Sequence, residues 1–436
     1  MTEFAQRRER LMAKLGDGVA VLRSAPHAVM HADVEHNYRQ DSDFFYLTGF
    51  DEPEAVALLL PNHPEHRFVL FVQPKNLAQE IWTGYRVGVE GAVERYGADA
   101  AYPIGELDQH LANYLRGSDR IHFRPGRDTD FNQKIFGLWQ QFLAQSARKG
   151  QGPLALEDLG RLLHPLRMIK SEAEVAAMRR AADIAAEAHI RAMEFARPGC
   201  WEYEVQAEIE HRFRQRGAQG PAYPSIVASG ANACVLHYVE NTRQMQADDL
   251  LLIDAGCAVG YYNSDITRTF PVSGRFTPEQ KALYEIVLAA QSAALDAVQP
   301  GRAYGDFHAA AVEVLVDGLR DLKLLSGSRE ENIEQGHYRP FYMHRTGHWL
   351  GLDVHDVGIY QQGDDWTTLT PGHVVTVEPG LYVAPAIEPA EGQPEIPDRW
   401  KGIGIRIEDD VLVTESGHEN LTAAVPKAIA DLERGS

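Results

Sequence analysis

The stretch 250-LLLIDAGCAVGYYNSDITRTF-270 decides how this chain is read. Two apolar runs, LLLIDAG and YYNSDITRTF, flank a short segment ending in Gly260 and predict an antiparallel hairpin. Each run carries one acid among apolar neighbours, Asp254 in the first and Asp265 in the second. The same arrangement returns in 374-VVTVEPGLYV-383, with Glu378, and in 402-GIGIRIEDDVLVT-414, with Glu408. Side chains alternate along a strand, so positions 374, 376 and 378 share one face and 375 and 377 the other. By the same rule Ile405 and Ile407 turn away from Arg406 and Glu408. One face of each strand is therefore apolar and the other carries the acid.

An acid on a strand is ordinarily a solvated edge residue, and a lone histidine is ordinarily surface or core. The joint pattern matters more than any one position. Four carboxylates drawn together would repel one another, and burying them ionised without partners is prohibitive. Two divalent cations would cancel four negative charges, and one imidazole can complete the donor set. His348, in 344-HRTGHWLGLDVHDVG-358, is the best placed, with Gly347 and Gly351 allowing irregular backbone around it.

Outward from this core, Ser171 opens a strong helix through the capping box Ser171–Glu174, with Val175, Met178, Ala182 and Ala185 as its buried stripe. A second helix is predicted from Glu202 to Arg216, stopped by Gly217. A third starts at Thr277 as N-cap with Pro278 in the first turn, and a fourth covers Asp306 to Leu322. Helices set against an antiparallel-rich sheet make the second half α+β. The first half reads as α/β. GVAVLRS, AVALLLP, HRFVLFVQP and RIHFRPG are strand candidates, EIWTGYRVG and ERYGAD follow the third of them, and ELDQHLANYLRG and FNQKIFGLWQQFLAQSARKG are helices. The Gly- and Pro-bearing segment 150–171 is read as a linker, giving domains at 1–165 and 166–436.

A length of 436 residues suits two domains. A formal net charge of −20 argues against nucleic acid or an anionic membrane as partner. No run of 18 apolar residues is present, and the charged N-terminus lacks a signal peptide's apolar centre. The three cysteines, Cys200, Cys234 and Cys257, form no Cys-x-x-Cys pair; packed thiols and a reducing cytoplasm are expected. No zinc-protease helix, phosphate-binding loop or nucleophile elbow is found.

The four segments named above, taken in sequence order, resemble the metal-site segments of the pita-bread peptidases, and most closely the aminopeptidase P branch. The likeness extends to 41-DSDFFYLTGFDEPEA-55 and 227-VASGANACVLHY-238, so it spans nearly the whole chain. It implies a C-terminal pita-bread catalytic domain behind an N-terminal α/β domain. It implies two divalent metal ions, Mn²⁺ first, with Zn²⁺ or Co²⁺ also suited to oxygen donors and one imidazole. Asp254 would bind one metal, Asp265 and Glu408 would bridge both, and His348 and Glu378 would complete the other. The implied activity is removal of the residue ahead of a proline, with activated water as nucleophile and Glu378 as general base. His344 and His355 would stabilise substrate and intermediate, and His237 would position substrate. Arg406 and Tyr382 would support the ligands or touch substrate. Trp82 would meet substrate across a subunit contact in a homo-oligomer, dimer or tetramer, although packing is the commoner role of an isolated Trp. Prolidase, which favours dipeptides, shares the ligand set. A non-catalytic peptide-binding module on the same fold would be expected to lose it. NSDITRTF departs slightly from the GDITRTF-like wording of the family beside Asp265.

Overall fold

The computed structural model describes residues 2–126 and 128–433, apart from the side chains of 147–149. The chain divides into two compact units, Met1–Arg167 and Met168–Ser436.

The first unit is built on a six-stranded mixed sheet. Its strands are β1 (Val19–Arg23), β2 (Val56–Leu59), β3 (Phe68–Val72), β4 (Ala100–Pro103), β5 (Arg120–Phe123) and β6 (Ala155–Glu157). Their order is β4-β3-β2-β1-β5-β6. β1, β2 and β3 are joined antiparallel, while β4, β5 and β6 each add in parallel. Runs such as AVALLLP are buried on both faces, as expected of central strands. Helices Leu107–Leu115 and Thr129–Lys149 cover this core with Leu111, Leu115, Phe131 and Ile135. The segment DSDFFYLTGF forms a short helix, Ser42–Thr48, capped by the Asp41 carboxylate and closed by Gly49 at φ +66°.

Two expectations need correction here. Residues 150–171 do not form a loose linker: they supply β6 and the helix Gly160–Met168. That helix carries Pro165 inside it, and the burial of Leu159, Leu163 and Arg167 outweighs the missing hydrogen bond. The expected packing of Trp82 is also wrong. It lies on the helix Leu77–Thr83, which buries no residue, and is 87% exposed.

The second unit sets helices against antiparallel sheets, the α+β architecture expected. β7 (Ile226–Ser229), β8 (Leu250–Asp254) and β9 (Thr267–Pro271) make one sheet. β8 pairs with β9 so that Asp254 stands opposite Thr267. The predicted hairpin is therefore present, with a smaller one, Cys257–Val259 against Tyr262–Asn263, inserted at its turn. The other two acidic segments pair with each other. β10 (Val374–Val377) lies against β13 (Asp409–Thr414), and β11 (Gly380–Val383) against β12 (Ile403–Arg406). Glu378 and Glu408 sit in the breaks between these pairs, where each chain passes from one sheet to the next.

The predicted helices are Glu172–Phe195, Glu202–Gln215, Pro278–Ala297 and Gly305–Asp321. The capping boxes at Ser171 and Thr277 are formed. These helices and the strands share one core, which includes Ala185, Ile209, Leu283 and Leu315. No described helix is long and apolar enough to cross a membrane.

Three glycines allow the site segments to approach closely. A Cβ on Gly256 would meet the Ser264 carbonyl oxygen at 1.7 Å, one on Gly347 the Thr376 oxygen at 2.0 Å, and one on Gly404 the Ala233 oxygen at 2.2 Å. The departure NSDITRTF is absorbed locally. Ser264 Oγ accepts from the Cys257 N–H, and Asn263 Nδ2 donates to the Gly351 and Leu352 carbonyls.

Candidate metal centre

The ends of β8, β9, β10 and β12 open onto a cavity of about 610 Å³. It is lined by Asp254, Asp265, His348, Glu378 and Glu408, with His237, His344, His355 and Arg406 around them. Asp265, His348 and Glu408 each offer a donor atom, and these atoms lie within 4.8 Å of one another. Asp254 and Glu378 flank that set. Asp254 is engaged by Arg406, and Glu378 stands 3.7 Å from His348 and 3.5 Å from His344.

The electrostatics of this cluster match a cation-binding centre. Burial, then the charges of Asp265, Glu378 and Asp254, drive the Glu408 carboxyl well above its ordinary range. Burial likewise pushes Glu378 up to about 7 and raises Asp254 despite the Arg406 charge. Burial would lower His348, but its hydrogen bond to Asp265 and the Glu378 charge outweigh this and hold it at about 9. The same contacts keep Asp265 low against the effect of burial. These four acids have Arg406 and His348 as their nearby cations, so positive charge is still required.

Local geometry points the same way. His348 Nδ1 faces the Trp349 carbonyl at 3.0 Å, which makes it an N–H donor there and directs Nε2 at the acids, where it would give its lone pair to a bound cation in place of a proton. Nε2 lies 3.4 Å from Asp265. The Tyr223 phenol oxygen lies 2.7 Å from Asp254 Oδ1 and 2.5 Å from Asp265 Oδ1. One phenolic proton cannot serve both contacts, so a second proton or a cation belongs among these oxygens.

Supporting side chains come from the alternate positions of the same strands. Thr267 Oγ1 donates to Glu408, and Thr376 Oγ1 to Glu378. Arg406 donates to Asp254 at 2.6 Å, to the Tyr382 oxygen at 2.9 Å and to Thr267 at 3.1 Å. It thus reaches Glu408 only through Thr267. Tyr382 in turn donates to His344 Nε2 at 2.8 Å. Tyr382 is fully buried and outside the cavity lining, which corrects the expectation of a substrate contact: it stands behind His344. His344 is held to about 3 by burial and the Arg406 charge, hence neutral. The His355 ring lies 4.2 Å from that of His348, tilted by 52°, and burial, then the His348 charge, lowers its pKa. Trp82 is not among the residues lining this cavity. Cys234 and Cys257 are free thiols pushed up to about 12 by burial, so neither is a ready nucleophile.

Tyr223 was not among the expected site residues; its only local sign is its place between Pro221 and Pro224. Nor was Arg268 among them. This fully buried arginine donates to the Glu408 carbonyl at 2.6 Å and to Asp409 at 2.7 Å. Asp409 also accepts from Gln291 and Lys427.

Buried acids and an imidazole converging on one cavity define a centre suited to divalent metal. The pattern of metallopeptidase family M24 matches residues 176–415, and that of the aminopeptidase P N-terminal domain matches residues 4–122. The chain is 43% identical to the Xaa-Pro aminopeptidase of Escherichia coli, over 99% of this chain and 96% of that one. Its fold superposes on aminopeptidase PepP of Pseudomonas aeruginosa with a TM-score of 0.94 at 49% identity, covering 99% and 96% of the two chains. It superposes on E. coli aminopeptidase P bound to the inhibitor Pro-Leu with a TM-score of 0.93 at 43% identity, covering 99% and 97%. The chain belongs to metallopeptidase family M24 and has the pita-bread fold.

Proposed function

We propose that this chain is a metal-dependent aminopeptidase that releases the N-terminal residue from peptides with proline in second position. The carrying observation is the convergence of Asp265, His348 and Glu408 on one cavity with Asp254 and Glu378, in a chain so similar to relatives named for this activity. Asp254 would hold one metal, Asp265 and Glu408 would bridge two, and His348 with Glu378 would complete the second. Oxygen donors with one imidazole suit Mn²⁺, and Zn²⁺ or Co²⁺ can use the same set; a Zn-substituted form of E. coli aminopeptidase P is among the similar structures. When bound, the metals would neutralise the acids, polarise the scissile carbonyl and acidify water for attack.

The protein's own groups would handle the proton. Glu378, at the cavity wall 3.5 Å from His344, is placed to accept a proton from water and return it. The bond to a prolyl nitrogen is a tertiary amide, so its leaving nitrogen must gain that proton. Neutral His344, 3.5 Å from Glu378 and steadied by Tyr382, can share hydrogen bonds with the reacting groups. His355 and His237 would hold intermediate and substrate at the cavity wall. Peptides are the partners in this reading. Exposed Leu77, Ile81, Trp82 and Tyr85 support a homo-oligomer, dimer or tetramer, in which Trp82 meets the substrate of a neighbouring copy. Three free cysteines fit a cytoplasmic setting.

The test strips metal with a chelator, then assays a tripeptide with central proline before and after adding Mn²⁺, beside an Xaa-Pro dipeptide. Metal-restored cleavage of the tripeptide is expected, with loss of kcat in Glu378→Ala. Cleavage of the dipeptide alone would mean a prolidase, and failure to bind metal would mean a binding module.

A further inference from the structure

Arg345 follows His344 and lines the cavity at an exposed position. Its guanidinium carbon lies 5.0 Å from the centre of the Trp366 ring. Such a cation–π contact steadies the head group and leaves its N–H edges open to a planar anion. Among the described residues Arg345 has no carboxylate partner. Arg406, the other arginine of the lining, is buried and commits its N–H groups to Asp254, Tyr382 and Thr267.

An aminopeptidase takes its substrate amino end first. Asp254, Asp265 and Glu408 are buried, so the peptide amino end belongs at that closed end and the rest of the chain runs toward the exposed rim. A short peptide then brings its C-terminal carboxylate to the rim of the cavity. An unpaired guanidinium there offers a two-point match to that carboxylate. We propose that Arg345 binds the C-terminal carboxylate of tripeptide substrates and makes free acids better substrates than the corresponding amides. This rests on the aminopeptidase reading above.

The test compares alanyl-prolyl-alanine with its C-terminal amide in Mn²⁺-loaded protein. The amide should show a KM about five- to tenfold higher than the acid in the wild type, the size of one charge-assisted contact at a partly exposed site. Arg345→Met should bring that ratio to about one, Arg345→Lys should keep part of it, and Arg345→Glu should invert it. A defect in folding or metal loading would shift both peptides together and leave the ratio alone. Cleavage of both peptides with an unchanged ratio in Arg345→Met overturns the assignment to Arg345 while leaving the aminopeptidase reading intact. Cleavage of neither by the wild type overturns that reading and this inference with it. A third peptide, blocked at its C-terminus and carrying aspartate in third position, separates the two sources of carboxylate. If only that peptide shows an Arg345-dependent advantage, the C-terminal assignment is wrong.

Discussion

Tyr223 touches Asp254 and Asp265 at once, which makes it the residue that fixes their separation. Removing its hydroxyl frees two carboxylates that repel each other and must then be brought together by the metals alone. Tyr223→Phe should weaken metal binding by about 10- to 100-fold, the usual effect of losing a partner behind a ligand. Calorimetric titration of the metal-free protein with Mn²⁺ measures this, and an unchanged affinity would show that Asp254 and Asp265 are placed without it. Arg406 works differently. It links Asp254 to Tyr382 and so to His344, joining one proposed ligand to a histidine on the opposite wall. Acids set among apolar neighbours on short strand candidates disclosed Asp254, Asp265, Glu378 and Glu408, because that pattern is local, whereas the Thr267 and Thr376 hydroxyls that hold two of them emerge only in the fold. Tyr223 and Arg268 were not legible, because their partners lie far off in sequence and no period marks them.

The strands that carry the acids owe their placing to what lies behind them. Arg268 on β9 holds the carbonyl of Glu408 and pairs with Asp409, both charges being fully buried. Arg268 and Lys427 hold the Asp409 carboxyl well below its usual range against the effect of burial. Removing one partner of a buried pair leaves the other uncompensated. Asp409→Ala should therefore destabilise the chain by about 3–5 kcal/mol, read as a lower urea midpoint. A loss below about 1 kcal/mol would mean that Arg268 is satisfied by its backbone acceptors without Asp409. The helices of this unit were readable because capping boxes and buried stripes are written within a few residues, as at Ser171 and Thr277. β4 was missed and residues 150–171 were misread for the opposite reason. Ala100–Pro103 and Ala155–Glu157 are short, half-buried edge strands without a strong apolar run, and Pro165 gave a breaker signal that tertiary burial overrides.

At the scale of the molecule, the two units carry separate electrostatic loads. In the first, His164 and Arg167 hold the Asp43 carboxyl well below its usual range, outweighing the opposing effect of burial. A depressed carboxylate stabilises the fold above its unfolded pKa of about 4, and that contribution fades as pH falls below it. Asp43→Asn should thus lower the urea midpoint of the full chain at pH 7, with the deficit shrinking below about pH 4. A deficit that stays constant over that range would rule out the charge as its source. In the second unit, the four acids would hold cations that bind only the folded state. Chelation should lower the melting temperature, corresponding to about 2.7 kcal/mol when metal stands at a hundred times its Kd. An identical Tm with and without chelator would mean that the acids are satisfied by protons alone.

Gly256, Gly347 and Gly404 let three stretches of backbone come together with no room for even one carbon between them. The spacing of the acids is then inherited from main chain resting on main chain, and side chains only decorate it. For a drifting sequence this divides the molecule into two kinds of position. Surface residues such as Leu154 can be exchanged freely one at a time, whereas these glycines admit no intermediate on the way to anything else. In a library of single substitutions scored for metal-dependent activity, all three positions should return glycine alone. The centre is thereby protected from gradual change by something that holds no metal, touches no substrate and has no side chain.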